Sequence, residues 1–156
     1  MKFWKVPPKI KIYEALGAVA DERIELTATG ALVDASSRNK TYTVSYSESD
    51  GQIMANDNGS YWQGYLGYPA ICLLMLKGKL PYKENFVRIL QGIEWKKVNQ
   101  SFKNDFSKTE ALIEAKIESS ENLKEFHSYI QEVLEKIKSL NLGYEGTKAK
   151  PAKETK

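Results

Sequence analysis

The chain has 156 residues, 42% of them hydrophobic and 28% charged, and a formal net charge of +3. That length suits one domain able to bury about 70% of its unfolded surface. The near-balanced charge argues against a protein built as a whole for polyanions, and the longest unbroken apolar run, the seven residues Ala70 to Leu76, is far short of the ~20 a membrane span needs. The lone cysteine, Cys72, lies inside that run and reads as a small hydrophobe. It permits no internal disulfide, and no apolar leader precedes Pro7-Pro8, so a soluble, cytoplasmic protein is expected.

Pro8 suits the first turn of a helix, and Ile12, Leu16 and Val19 form an apolar stripe at helical spacing. The pattern predicts a helix over 8–20. Alternation then predicts strands. Ile24, Leu26 and Ala28 mark the first, and Ala31 to Ala35 the second, after Gly30 as a possible bulge. In the third, Thr41 to Ser47, residues Tyr42, Val44 and Tyr46 share one face. Asp50-Gly51 supplies the positive φ of a tight hairpin and returns the chain into Gln52 to Ala55.

Pro69 opens an apolar helix over 70–77, expected at the centre of the core. Pro81 to Leu90, stopped by Gly92, and Glu94 to Asn104 read as two more helices. Ser107-Lys108-Thr109-Glu110 matches a capping box for a helix through Ile117, although Ile113, Ala115 and Ile117 also alternate as in a strand. Ser119 or Ser120 caps the last helix, whose stripe runs from Leu123 through Phe126, Ile130, Val133 and Ile137 to Leu140, with Gly143 as its end. The fold class is therefore α+β: an antiparallel meander of three or four strands packed by helices, with a helix-rich C-terminal half. One globular domain is expected over 1–142, followed by a basic, disordered tail at 143–156.

The loop between the last strand and the apolar helix, 55–69, is the unusual stretch. Tyr61, Trp62, Tyr65 and Tyr68 are interleaved there with Gly59, Gly64 and Gly67, after the turn-forming Asn56-Asp57-Asn58-Gly59. Two readings compete. The rings can fold back as a packed roof over the core, or they can present a binding surface. On the second reading Asn56, Asp57, Asn58, Tyr61, Trp62, Gln63, Tyr65 and Tyr68 contact a ligand or partner. A self-association seam needs only the rings. A sugar site needs the neighbouring amides and a concave, solvent-open shape.

Other chemistry is sparse. His127, the single histidine, reads as structural or solvated, and with one His and one Cys no zinc site of the usual kind can be built. No phosphate-cradling glycine motif, EF-hand register or nucleophile signature is present, so no metal, cofactor or catalytic residue is assigned and the reading leans away from an enzyme. Asp57 has no second carboxylate placed beside it by sequence.

Basic residues concentrate between Lys77 and Lys108. Pro81 to Asn104 resembles a helix-turn-helix unit, with Gly92 at the turn, although Arg88 and Ser101 depart from the family pattern. The resemblance implies that Lys96, Lys97, Gln100 and Lys103 face nucleic acid. A second route stacks single-stranded bases on the loop aromatics, and it requires the loop and the basic segment to share a face. Separately, residues 56–69 resemble a stretch found in small uncharacterised archaeal proteins, a resemblance that implies no activity. The expectation is a non-catalytic binding or assembly module acting through loop 55–69. Its alternatives are a nucleic-acid-binding protein and a small enzyme of unidentified class. Its partner is another protein, a second copy or nucleic acid, not a membrane.

Overall fold

The computed structural model describes residues 2–154. Met1, and Thr155 and Lys156 at the end of the expected tail, lie outside the described residues. In chain order the elements are α1 (Ile10–Ala20), β1 (Ile24–Leu26), β2 (Gly30–Asp34), β3 (Thr41–Ser47), β4 (Gln52–Ala55), α2 (Tyr68–Leu76), α3 (Trp95–Ser101), α4 (Phe106–Glu114), α5 (Ser120–Leu140) and β5 (Gly143–Tyr144). The fold is α+β. The strands lie in one sheet in the order β1-β2-β3-β4-β5. The first four form the expected antiparallel meander, and β5 adds to β4 in parallel, pairing Ile53 with Tyr144.

Side-chain alternation orients the sheet. Val33, Val44 and Ile53 are buried, with Tyr42 and Tyr46 against the core, while Thr41 and Thr43 face out. Gly30 is no bulge. It pairs in register with Ser45, and a side chain there would come within 1.9 Å of the Val44 carbonyl oxygen, so only glycine fits. Gly51 takes φ +63° in the β3–β4 hairpin, as Asp50-Gly51 predicts.

The core is helical on one side of the sheet. α2 is buried from Pro69 to Met75, and Cys72 lies within it. α1 packs beside α2 and is itself buried at Ile10 and from Ile12 to Ala18. α5 lays Phe126, Tyr129, Ile130, Val133 and Ile137 onto this core. The Ser119 side chain caps it, accepting the Asn122 N–H at 3.1 Å.

Four expectations are corrected. No helix runs from Pro81 to Leu90. Two short 3₁₀ turns, Glu84–Phe86 and Arg88–Leu90, take its place between extended residues Lys83 and Gln91. The cause is tertiary: Phe86, Val87 and Leu90 are all buried, and Phe86 stacks on Tyr129 and meets Phe126 edge-on. The helix-turn-helix pair therefore lacks its first helix. α4 starts at Phe106 after Asp105, whose carboxylate accepts the Ser107 hydroxyl at 2.5 Å, so Ser107 does not form the capping box. α5 ends at Leu140 and is capped by Asn141 in the left-handed region (φ 44°), two residues before Gly143. Finally, 143–154 continues across the molecule. Trp4 stacks on Tyr144 at 3.9 Å and donates its indole N–H to Ile53 O at 2.8 Å, and Ala152 N–H donates to Asn56 O at 2.9 Å. The lysine-rich composition that suggests disorder leaves out these backbone and ring contacts.

Candidate functional site

The loop after β4 is tied together by its own polar groups. Asn56 prolongs the β3–β4 pairing, its Oδ1 accepting the Thr43 N–H at 2.8 Å. Asp57 turns inward and is only 5% exposed. Its carboxylate accepts the Ser60 N–H (3.1 Å) and the Ser60 hydroxyl (2.6 Å). A single π-helical turn, Gly59–Gln63, follows and stops at Gly64 with φ +72°. Leu66 N–H then donates to Lys5 O, and Lys5 N–H to Gly64 O, each at 3.0 Å, which ties the loop to the N-terminal segment.

Two glycines make this path possible. A Cβ on Gly67 would lie 2.1 Å from Asp57 Oδ2, and one on Gly59 would lie 2.6 Å from the Tyr65 ring. The interleaved glycines thus serve close approach of a buried carboxylate and an aromatic ring.

The loop forms one wall of a cleft of about 630 Å³. α1 supplies Lys11 and Glu14, the β2–β3 hairpin supplies Lys40, and α3 supplies Trp95, Lys96 and Gln100. Within it, Lys11 Nζ donates to both Glu14 oxygens at 3.2 and 3.0 Å and lies 5.5 Å from the Phe106 ring centroid. At the mouth the Trp62 indole is 69% exposed. It meets Tyr61 edge-on at 4.7 Å. Tyr61, Tyr65 and Tyr68 are half-buried, and Trp62 alone of the four loop rings is exposed.

Burial governs the electrostatics. It pushes the Asp57 carboxyl above the usual carboxylate range, and the Ser60 hydrogen bonds and Lys11 only partly oppose it. At Lys11 burial disfavours the charge, but Glu14 foremost, then Tyr65 and Asp57, outweigh it and raise the ammonium above its ordinary value. Burial, then Asp57 and Glu14, push Tyr42 up to about 12. Burial also raises Tyr65, and Tyr68 further still. Near neutral pH the phenols are therefore neutral hydrogen-bonding groups beside a paired lysine. Such a cluster in a cleft marks a candidate site.

Of the residues singled out in sequence, Asp57, Asn58, Trp62, Gln63, Tyr65, Tyr68, Lys96 and Gln100 line this one cleft. The loop and part of the basic segment do share a face. Asn56 instead prolongs the β3–β4 pairing, and Tyr61 packs edge-on to Trp62 beneath the Lys148 ammonium at 5.7 Å. Lys97 pairs with Glu94 at 3.6 Å, and Lys103 sits in a left-handed turn at φ 54°. His127 is exposed, with Nε2 2.6 Å from Glu114 Oε1, outside the cleft. Sequence reasoning missed Lys11, Glu14 and Tyr42. The available signal was two charged residues within a helix whose neighbours are nearly all apolar. No three His, Cys, Asp or Glu residues converge for a metal among the described residues, and none of their helices is long and apolar enough to cross a membrane.

A family model described as Uncharacterised conserved protein UCP014422 matches residues 4–143, and the chain belongs to that family. The match spans α1 through α5 and includes the whole aromatic loop. No curated protein and no solved structure matches the chain.

Proposed function

We propose that this family member is a non-catalytic binding module whose loop 55–69 walls a cleft for a small, hydroxyl-rich ring such as a saccharide. One observation carries the reading: a 69%-exposed indole, Trp62, stands at a concave cleft whose walls also bear Asn58, Gln63 and Gln100. An aromatic face suits the C–H face of a sugar ring, and amides donate to and accept from its hydroxyls. Concavity favours this over a self-association seam, which would need a broad, flat apolar patch. The inner carboxylates are held by Lys11 and by Ser60, which suits positioning better than proton transfer.

The test is a glycan array probed with the labelled protein and with Trp62→Ala, followed by calorimetry on any hit. Binding by the parent and at least tenfold weakening by Trp62→Ala is the expected result. No binding to any glycan, or equal binding by the variant, overturns the reading.

A second reading is favoured by the shared face: Lys96 and the loop rings could hold a single-stranded nucleic acid by stacking and phosphate contact. Oligonucleotide titration separates it, because such binding falls steeply with salt. The pairing of Lys97 with Glu94 and the missing first helix leave double-stranded recognition without support.

A further inference from the structure

The cleft's cation on α3 is already engaged by an anion from elsewhere in the chain. Lys96 Nζ lies 3.5 Å from Glu154 Oε1. Contacts of the preceding residues lead up to Glu154. The segment carrying it leaves β5, donates Glu145 N–H to Ile53 O at 3.2 Å, places Lys148 over the Tyr61 ring and donates Ala152 N–H to Asn56 O at 2.9 Å. It therefore runs as a strap along the outer side of the aromatic loop and delivers a carboxylate to a residue that lines the cleft.

The polar groups deeper in the cleft already have partners. Lys11 holds Glu14, and the Asp57 carboxylate is bound by Ser60. The other cations among the described lining residues are at the walls, Lys40 and Lys96, the latter in its pair with Glu154. Lys96 and Glu154 are both more than half exposed, so their pair is weak and exchangeable. A carboxylate resting on Lys96 stands where a ligand's own anion would rest.

We infer that the ligand of this cleft is a hydroxylated ring carrying one anionic group, a sugar acid or sugar phosphate, and that Glu154 is its internal competitor for Lys96. The inference rests on the saccharide reading above and adds the charge of the ligand and the role of the C-terminal strap. The ring lies on Trp62, the anion displaces Glu154 from Lys96, and Gln100, one turn along α3, serves the ring hydroxyls.

The experiment is a calorimetric titration of the full chain with glucose, galactose and mannose, their uronic acids, their 6-phosphates and inorganic phosphate. It is repeated with Glu154→Gln and Lys96→Gln, both at exposed positions. At least one sugar acid or sugar phosphate should bind ten times or more tightly than its neutral parent. Glu154→Gln should tighten that binding about two- to fivefold, the range of an exposed ion pair, and leave neutral sugars unchanged. Lys96→Gln should weaken it. Equal affinity for neutral and anionic forms, or no change with Glu154→Gln, overturns the inference while leaving the saccharide reading intact. Inorganic phosphate binding as tightly as a sugar phosphate removes the ring from the inference. Failure of every sugar in the panel, joined to a glycan array without hits, overturns both.

Discussion

The carboxylate of Asp57 occupies the space that a side chain on residue 67 would fill, its Oδ2 2.1 Å from where a Cβ on Gly67 would stand. Gly67 has φ −79° and ψ 167°, so any residue could adopt its backbone. Glycine is required there by space alone. Gly67→Ala should therefore destabilise the fold by about 1–3 kcal/mol, the usual range for overpacking. Asp57→Ala in the same chain should recover part of that loss. Urea midpoints for the two single variants and the double variant measure the coupling. Additive losses would place the strain elsewhere.

Asp57 also sets a pH dependence. Its folded-state carboxyl is raised above the value of 3.8 expected in the unfolded chain, so between those two values the folded state binds the proton more strongly. Stability from this group is fully present below 3.8 and is lost as pH rises through the raised value. Glu110 is raised in the same direction by burial. Asp57→Asn should flatten the Asp57 part of that decline and leave the Glu110 part. Chemical denaturation from pH 4 to pH 8 on both proteins gives the difference. A steeper decline in the variant would reverse the assignment.

The Lys11–Glu14 pair should behave as a buried pair. Lys11→Met leaves Glu14 inside the protein without its cation and should cost about 3–5 kcal/mol. Lys11→Met with Glu14→Leu should recover most of that stability, because two apolar side chains of similar size replace both charges. If a ligand reads this pair, the double variant keeps its fold and loses binding. Denaturant titration and calorimetry on the same preparations separate the two effects.

The C-terminal segment divides into a structural part and a competing part. Trp4, stacked on Tyr144 and bonded to Ile53, ties β5 to the N-terminal segment. A chain ending after residue 147 keeps that arrangement but loses half-buried contacts, Ala149 against the core among them, and should be less stable by about 1 kcal/mol. A chain ending after residue 142 loses β5 and exposes the Trp4 ring, and should be less stable by about 2 kcal/mol or more. Thermal melts of both truncations check this. Equal melting temperatures would assign β5 no structural role.

Local pattern was enough for much of this protein. Alternation placed the four-stranded meander, and Asp50-Gly51 placed its last hairpin. The amphipathic stripe of α5 and the apolar run of α2 needed nothing beyond their own periodicity. Aromatic and glycine density singled out the loop. What local pattern could not contain was distance. The Pro81 to Leu90 stretch has helical spacing, but Phe86 packs on Phe126 and Tyr129 while the Arg88–Leu90 turn packs on α1. Sequence shows Asp57 no charged partner, because Lys11 reaches it from a helix some forty-five residues earlier in the chain. Lys96 reads as one lysine among many until the strap sets Glu154 upon it. Periodicity is a property of neighbours along the chain and specifies elements. A cleft is a property of residues that meet only when those elements pack, so its floor, its charges and its competitor were decided by tertiary structure alone.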